Sequence, residues 1–172
     1  MMFRRSPIRS LAAALALVFA FSWTVGALAA PEGTGLPLPR FVKLRASEVN
    51  MRTGPGVQYP VEWVYNRRDL PVEVIAEYST WRKVRDWQGT QGWVHQSMLG
   101  GERAMVVIGK LRTLRSDPDT QSVAIARVEA GVIGRLLECP ADGSWCNVEF
   151  DTHAGWMRRV EFWGAYPGET VK

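Results

Sequence analysis

Apolar and polar residues alternate over short stretches of this chain, and nowhere do apolar positions recur with a helical period. Val49 and Met51 point one way, Asn50 and Arg52 the other, just ahead of Thr53-Gly54-Pro55-Gly56. Gly54 and Gly56 can take φ > 0 without a Cβ clash, and Pro55 fixes φ between them, so a stiff, folded-back loop is expected. Leu70 to Ala76 alternates as a strand, with Pro71 at its start, where a missing N–H does little harm. Trp81 to Val84 begins another strand after a Tyr78-Ser79-Thr80 turn. Asp86 to Gln91, with Gly89 inside, reads as a hairpin connection, and Gly92-Trp93-Val94 opens the next strand. Short strands punctuated by Gly and Pro indicate an all-β chain built as a small barrel or sandwich.

The pattern occurs twice. Met51-Arg52-Thr53-Gly54-Pro55-Gly56 aligns with Leu114-Arg115-Ser116-Asp117-Pro118-Asp119, an offset of 63. Trp81 aligns with Trp145 and Val84 with Val148 at an offset of 64, and Gly92-Trp93-Val94 with Gly155-Trp156-Met157 at 63 again. Two copies differing only in loop length make the fold unit about 60 residues long.

The stretch Asn50-Met51-Arg52-Thr53-Gly54-Pro55-Gly56, with Pro60 behind it, resembles the opening motif of the bacterial SH3-like (SH3b) family, N-x-R-x-G-P-G followed by a Pro. The W-x-x-V…G-W pattern of each copy is similar to that family's second motif, so the resemblance spans almost all of the chain beyond residue 40. It implies two SH3-like β-barrels in tandem, at residues 41–100 and 104–163, with 164–172 as a C-terminal tail. In this reading Asn50, Gly54, Pro55, Gly56, Trp81, Trp93, Arg115, Trp145 and Trp156 are structural positions. The second copy departs from the motif: Thr113 stands opposite Asn50, and Asp117 and Asp119 replace the two glycines. Asp tolerates turn geometry, so the loop can survive with a changed surface charge.

Composition sharpens the compartment. Arg4, Arg5 and Arg9 precede an uncharged apolar run from Leu11 to Phe21, and Ala27-Leu28-Ala29 offers a cleavage site. This is the pattern of a secretory signal peptide over residues 1–29, followed by a Pro- and Gly-rich linker over 30–40. The rival reading is a retained anchor, since Leu11 to Ala30 is about long enough to span a bilayer. With no Cys near the cleavage site, lipid attachment there is not expected. Removing residues 1–29 leaves 18 basic against 17 acidic side chains, a net of +1. The chain's +4 therefore belongs largely to the export signal. Counterion-release binding to nucleic acid needs several clustered cations, and the remaining pairs, Arg67-Arg68 and Arg158-Arg159, read as solvated surface. A periplasmic or secreted protein is expected, with no stable membrane insertion after cleavage and no nucleic-acid partner.

Cys139 and Cys146 flank Pro140-Ala141-Asp142-Gly143, a turn sequence, and an even pair at short spacing in an exported chain favours a disulfide. The alternative adds His153 as a metal ligand or as the partner of a nucleophilic Cys. A structural zinc wants four ligands, and His95, which reads as a surface residue, is the only other His. No paired-carboxylate motif, nucleophile elbow, phosphate loop or metal cluster is present. A barrel of about 60 residues has no interior room for a cofactor. The expectation is a protein that is not an enzyme, without metal or cofactor.

Trp81, Trp93, Trp145 and Trp156 recur in both copies, which suits core packing or a barrel end over a ligand groove. Tyr59, Trp63, Tyr65 and Trp87 have no aromatic counterpart in the second copy and are the groove candidates. Arg52 and Arg115 recur too. A guanidinium's five donors suit loop carbonyls, and the functional alternative for Arg52 is a clamp on a ligand carboxylate. The resemblance implies a peptide or peptidoglycan stem-peptide ligand. The competing readings are an interaction protein that docks another envelope protein through an edge strand or the aromatic tail, and an accessory regulator of a cell-wall hydrolase.

Overall fold

The computed structural model describes residues 33–141 and 143–172. The signal-peptide expectation, its cleavage site and the start of the linker lie outside the described residues. Two seven-stranded antiparallel sheets follow one another along the chain. The first comprises β1 (Arg40–Leu44), β2 (Val49–Arg52), β3 (Val61–Tyr65), β4 (Pro71–Tyr78), β5 (Trp81–Arg85), β6 (Gln91–His95) and β7 (Leu99–Gly100). The second comprises β8 (Ala104–Val107), β9 (Arg112–Arg115), β10 (Ala124–Val128), β11 (Ile133–Glu138), β12 (Trp145–Phe150), β13 (His153–Arg158) and β14 (Phe162–Trp163). Strand order is β3-β2-β6-β5-β4-β1-β7 in the first and β10-β9-β13-β12-β11-β8-β14 in the second. The protein is thus all-β, two tandem SH3-like barrels, as the repeat predicts.

Each sheet curls around its own core. Leu44, Val49, Met51, Val72, Val74, Val84 and Val94 fill the first. Met105, Leu114, Leu136, Val148, Met157 and Phe162 fill the second. The alternation seen in sequence is the cause: Val49 and Met51 are buried, while Asn50 between them is exposed. The repeated glycines let β6 and β13 pass close to β2 and β9. A Cβ on Gly92 would stand 2.5 Å from Met51 Cγ, and one on Gly155 2.6 Å from the Arg115 carbonyl oxygen.

The registers show what differs between the copies. Glu77 pairs with Arg82 across the first β4–β5 hairpin, and the equivalent positions of the second are Cys139 and Cys146. A buried ion pair, Arg82 Nε to Glu77 Oε1 at 3.2 Å, occupies the place of the Cys139–Cys146 disulfide. Both cysteines are fully buried and joined to each other, so the predicted disulfide is present and neither thiol is free beside His153. A strap from outside each sheet closes each hairpin. Thr34 donates to Glu77 through its amide and its hydroxyl in the first. Val171 and Cys139 exchange backbone hydrogen bonds of 3.0 and 2.9 Å in the second.

Residues 164–172 are therefore folded onto the second barrel. Val171 is buried in its core. Arg159, buried, donates to the carbonyls of Tyr166, Glu169 and Pro140. The expectation that Arg158 and Arg159 share the surface is thus corrected for Arg159. The two part because a 3₁₀ turn begins between them, sending only Arg158 to solvent. Arg67 also has a specific role, donating to the Gly131 carbonyl of the other barrel at 2.8 Å.

The joint between the barrels uses aromatics of the C-terminal segment. Trp163 meets the Phe41 ring edge-on at 4.7 Å, and Tyr166 lies against it at the same distance. The Arg103 guanidinium stands 5.5 Å over that ring. Tyr166 donates its hydroxyl to Glu73 Oε1 at 2.7 Å, and Glu73, itself buried, is held by Arg85 from the other side. The tail aromatics expected to dock an outside protein are thus occupied within the chain.

Candidate functional site

The loop after β2 is held in the same way in both copies. Thr53 N–H donates to the Pro60 carbonyl, Gly56 N–H to Gly54, and Tyr59 N–H to Gly56. Ser116, Asp119 and Ser122 repeat these bonds to Val123, Asp117 and Asp119, each shifted by 63. Arg52 Nη1 donates to the Val57 and Tyr59 carbonyls at 3.1 and 2.7 Å, and Arg115 Nη1 to the Ser122 carbonyl at 2.7 Å. Both arginines lock the turn. That geometry favours the structural role of Arg52 over the ligand clamp.

The two glycines have a different reason from the one expected. Neither Gly54 nor Gly56 has a positive φ, and neither do Asp117 and Asp119. Gly54 is required because the Tyr59 ring lies on it: a Cβ there would stand 2.4 Å from Tyr59 Cδ1. In the second copy Ser122 replaces Tyr59, the ring is gone, and a side chain at 117 fits. Gly-with-Tyr and Asp-with-Ser are two solutions to one packing problem.

The four groove candidates separate. Tyr59 and Trp63 are exposed, at 39% and 50%. Tyr65 is not a groove residue. It is buried, and its hydroxyl donates to Asp86 Oδ2 at 3.1 Å. Burial, together with the Asp86 charge and hydrogen bond, drives its pKa well above the ordinary tyrosine value. Asp86, also buried, accepts from the Gln88 and Thr90 amides through Oδ1. In the second copy the corresponding pair is Val128 and Phe150, both in the core, so Tyr65–Asp86 is a polar substitute for an apolar contact. Trp87 is half-buried and packs against the first core.

The sequence reading missed the neighbours of Tyr59 and Trp63. Val57, Val61 and Val64 are exposed at 76%, 41% and 39%. They lie along the edge strand β3 and the loop leading into it, with Trp63 and Val64 on opposite faces of the strand, since Trp63 stands opposite Met51 and Val64 opposite Asn50. The run Val61-Glu62-Trp63-Val64-Tyr65 after Pro60 carried a strand signal of β-branched and aromatic residues. Among the described residues β3 pairs only with β2, so its outer edge is open. Met51 stands opposite Trp63 in register, and the matching pair of the second barrel is Leu114 and Ala126. The aromatic is a feature of the first barrel alone.

The repeated tryptophans Trp81, Trp93, Trp145 and Trp156 are all half-buried on β5, β6, β12 and β13, as barrel-surface packing residues. His95 lies edge-on to Trp81, 5.4 Å between ring centres, with Nδ1 2.7 Å from Ser97 Oγ.

No curated protein matches the sequence. Among solved structures, NlpC1 from Trichomonas vaginalis is similar at 11% identity and a TM-score of 0.34, over 81% of this chain and 50% of that one. NlpC2 from the same organism is similar at 13% identity and a TM-score of 0.33, over 72% of this chain and 47% of that one. The chain thus spans about half the length of each. The family model described as bacterial SH3 domain matches twice, at residues 45–101 and 109–164. With two matches that follow the two barrels and take in well over half of its length, the chain belongs to the bacterial SH3 domain family.

Proposed function

We propose that the protein is a non-catalytic binding module of the cell envelope that holds an extended peptide chain, of the kind found in peptidoglycan stem peptides, along the first barrel. The observation that carries this reading is the open edge strand β3 with its apolar strip of exposed side chains, Val61, Trp63 and Val64 on its two faces and Val57 and Tyr59 in the loop before it. An edge strand offers unpaired N–H and C=O groups, and a long apolar one invites pairing with another chain. An extended peptide uses both features: main-chain bonds along β3 and side-chain contacts with the aromatics flanking it. Tyr59 is pre-positioned by its packing on Gly54, which limits the ordering cost of binding. The buried disulfide suits an oxidising compartment such as the periplasm or the exterior.

Co-sedimentation with purified sacculi tests the reading. Wild-type protein should pellet with sacculi, and Trp63→Ala should stay in the supernatant with its thermal midpoint nearly unchanged, because the side chain is half exposed. Equal pelleting of both proteins would remove Trp63 from the site. No pelleting of wild type would favour the second reading of the same strip, a dock for another envelope protein.

A further inference from the structure

The second barrel carries a cleft beside the pairing of β13 with β9. It encloses about 300 Å³ and is lined by Lys110, Arg112, Arg115, Arg158, Trp145 and Glu161. Four cations face one carboxylate. They converge from distant parts of the chain because Trp145 pairs with Arg158, and Trp156, two residues earlier on the same strand, with Arg115. Leu111, exposed at 49%, adds an apolar edge beside Trp145.

The first barrel acts as an internal control. At the offset of 63, the equivalents of Lys110, Arg112 and Arg158 are Ser47, Val49 and His95, so the fold needs none of these three cations. Only Arg115 has a matching cation, Arg52, and both lock their loops. Arg112 is the most telling. It stands where the first barrel buries Val49 completely, and it keeps a long 3.6 Å ion pair with Glu161. Glu161 is shared, since its other oxygen accepts from the Arg158 amide. Among the described residues the side-chain charges of Lys110 and Arg158 have no ion-pair partner, and both are exposed. Asp117 and Asp119 do not oppose this charge from the cleft. Their carboxylates are turned to Ser116 Oγ and the Gln121 amide.

We propose that this cleft binds the carboxylate groups of a peptide chain. Planar guanidinium groups match a carboxylate in paired hydrogen bonds, and Lys110 adds a mobile point charge. Trp145 and Leu111 supply the flat apolar contact that a free phosphate would not need. The volume lies at the small end of ligand sites, which start near about 300 Å³, so it takes a chain end or one acidic side chain. The cleft is separate from the β3 strip and does not depend on the first barrel's role.

The test is an NMR titration of the whole exported chain with acetyl-Ala-Glu-Ala bearing a free C-terminal carboxylate. The Trp145 indole N–H and the Arg158 amide should shift and saturate. Acetyl-Ala-Gln-Ala amide, lacking both charges, should bind about tenfold more weakly or worse, and so should the Lys110→Gln/Arg158→Gln variant. Trp63→Ala should leave this titration unchanged, which separates the outcome from that of the sacculus experiment. Equal binding of the charged and amidated peptides, or shifts confined to the first barrel, would overturn the proposal. So would inorganic phosphate binding more tightly than the peptide, since the cleft would then be a phosphate site. The comparison of the two peptides on wild-type protein holds even if the double variant does not fold.

Discussion

Replacing Gly54 by Ala should destabilise the first barrel, and the same replacement should be harmless once Tyr59 is Ser. The new Cβ would stand 2.4 Å from Tyr59 Cδ1 and 2.6 Å from Cγ and Cε1. These are ring atoms, not the tip of a flexible chain, so the whole ring must move. Overpacking of this kind costs about 1–3 kcal/mol. The ring is 39% exposed and can swing outward, which keeps the cost below the upper end, at about 2 kcal/mol. A smaller term opposes it. Because φ at Gly54 is not positive, Ala removes freedom from the unfolded chain and returns about 0.4–1 kcal/mol. The net loss for Gly54→Ala should be about 1 kcal/mol. In the Tyr59→Ser background the clash is absent and Ala should be neutral or slightly stabilising, as Asp117 beside Ser122 already implies. Urea unfolding of wild type, both single variants and the double variant gives the coupling directly, expected at about 1–2 kcal/mol. An unaltered stability for Gly54→Ala, or the same loss in both backgrounds, would refute the packing account of this glycine.

Three further outcomes follow from the joint and the hairpins. Tyr166→Phe leaves one oxygen of the buried Glu73 without its donor and should cost about 1.5–3 kcal/mol by thermal or urea unfolding, with a loss below about 0.5 kcal/mol arguing that the barrels barely communicate. Reduction of the Cys139–Cys146 bridge should cost roughly 2–3 kcal/mol for so short a loop, and labelling of the native protein should find no reactive thiol before reduction. Burial pushes the Glu77 carboxyl up, but the Thr34 amide and hydroxyl, the Arg40 guanidinium and the Arg82 charge prevail and hold it at about 2, below its ordinary 4.5. A depressed carboxyl contributes stability that is full above the unfolded value and is lost as pH falls toward the folded one. The thermal midpoint of wild type should therefore drop between pH 4.5 and 2 more steeply than that of Glu77→Gln, and parallel curves would contradict this.

The architecture was legible because its determinants are local. Alternation at Val49 to Arg52, the Gly-Trp dipeptides and the repeat at an offset of 63 each report a strand or a close strand crossing within a few residues. The disulfide was legible for the same reason, as two cysteines astride a turn. The site was legible only in part. Tyr59 and Trp63 stood out because the second copy lacks them, and both are exposed. Tyr65 shared that distinction yet is buried, since its fate depends on Asp86 across the barrel. Trp87 follows Asp86 and is drawn onto the core with it. The cationic cleft was not legible at all: Trp145 and Arg158 are neighbours only through the β12–β13 register, and Lys110 joins them only because β9 pairs with β13. Likewise the aromatic tail looked free for a partner, and only Phe41, more than 120 residues away, shows why it is not.

Hydrogen–deuterium exchange on the purified protein, with and without soluble stem peptide released from peptidoglycan, tests the central claim most directly. The account predicts slowed exchange in the segment 61–65 when peptide is bound, as main-chain bonds form along the open side of β3, and no such slowing at 124–128 in the second barrel. Unchanged exchange at 61–65 under saturating peptide, or protection appearing at 124–128 instead, would contradict it.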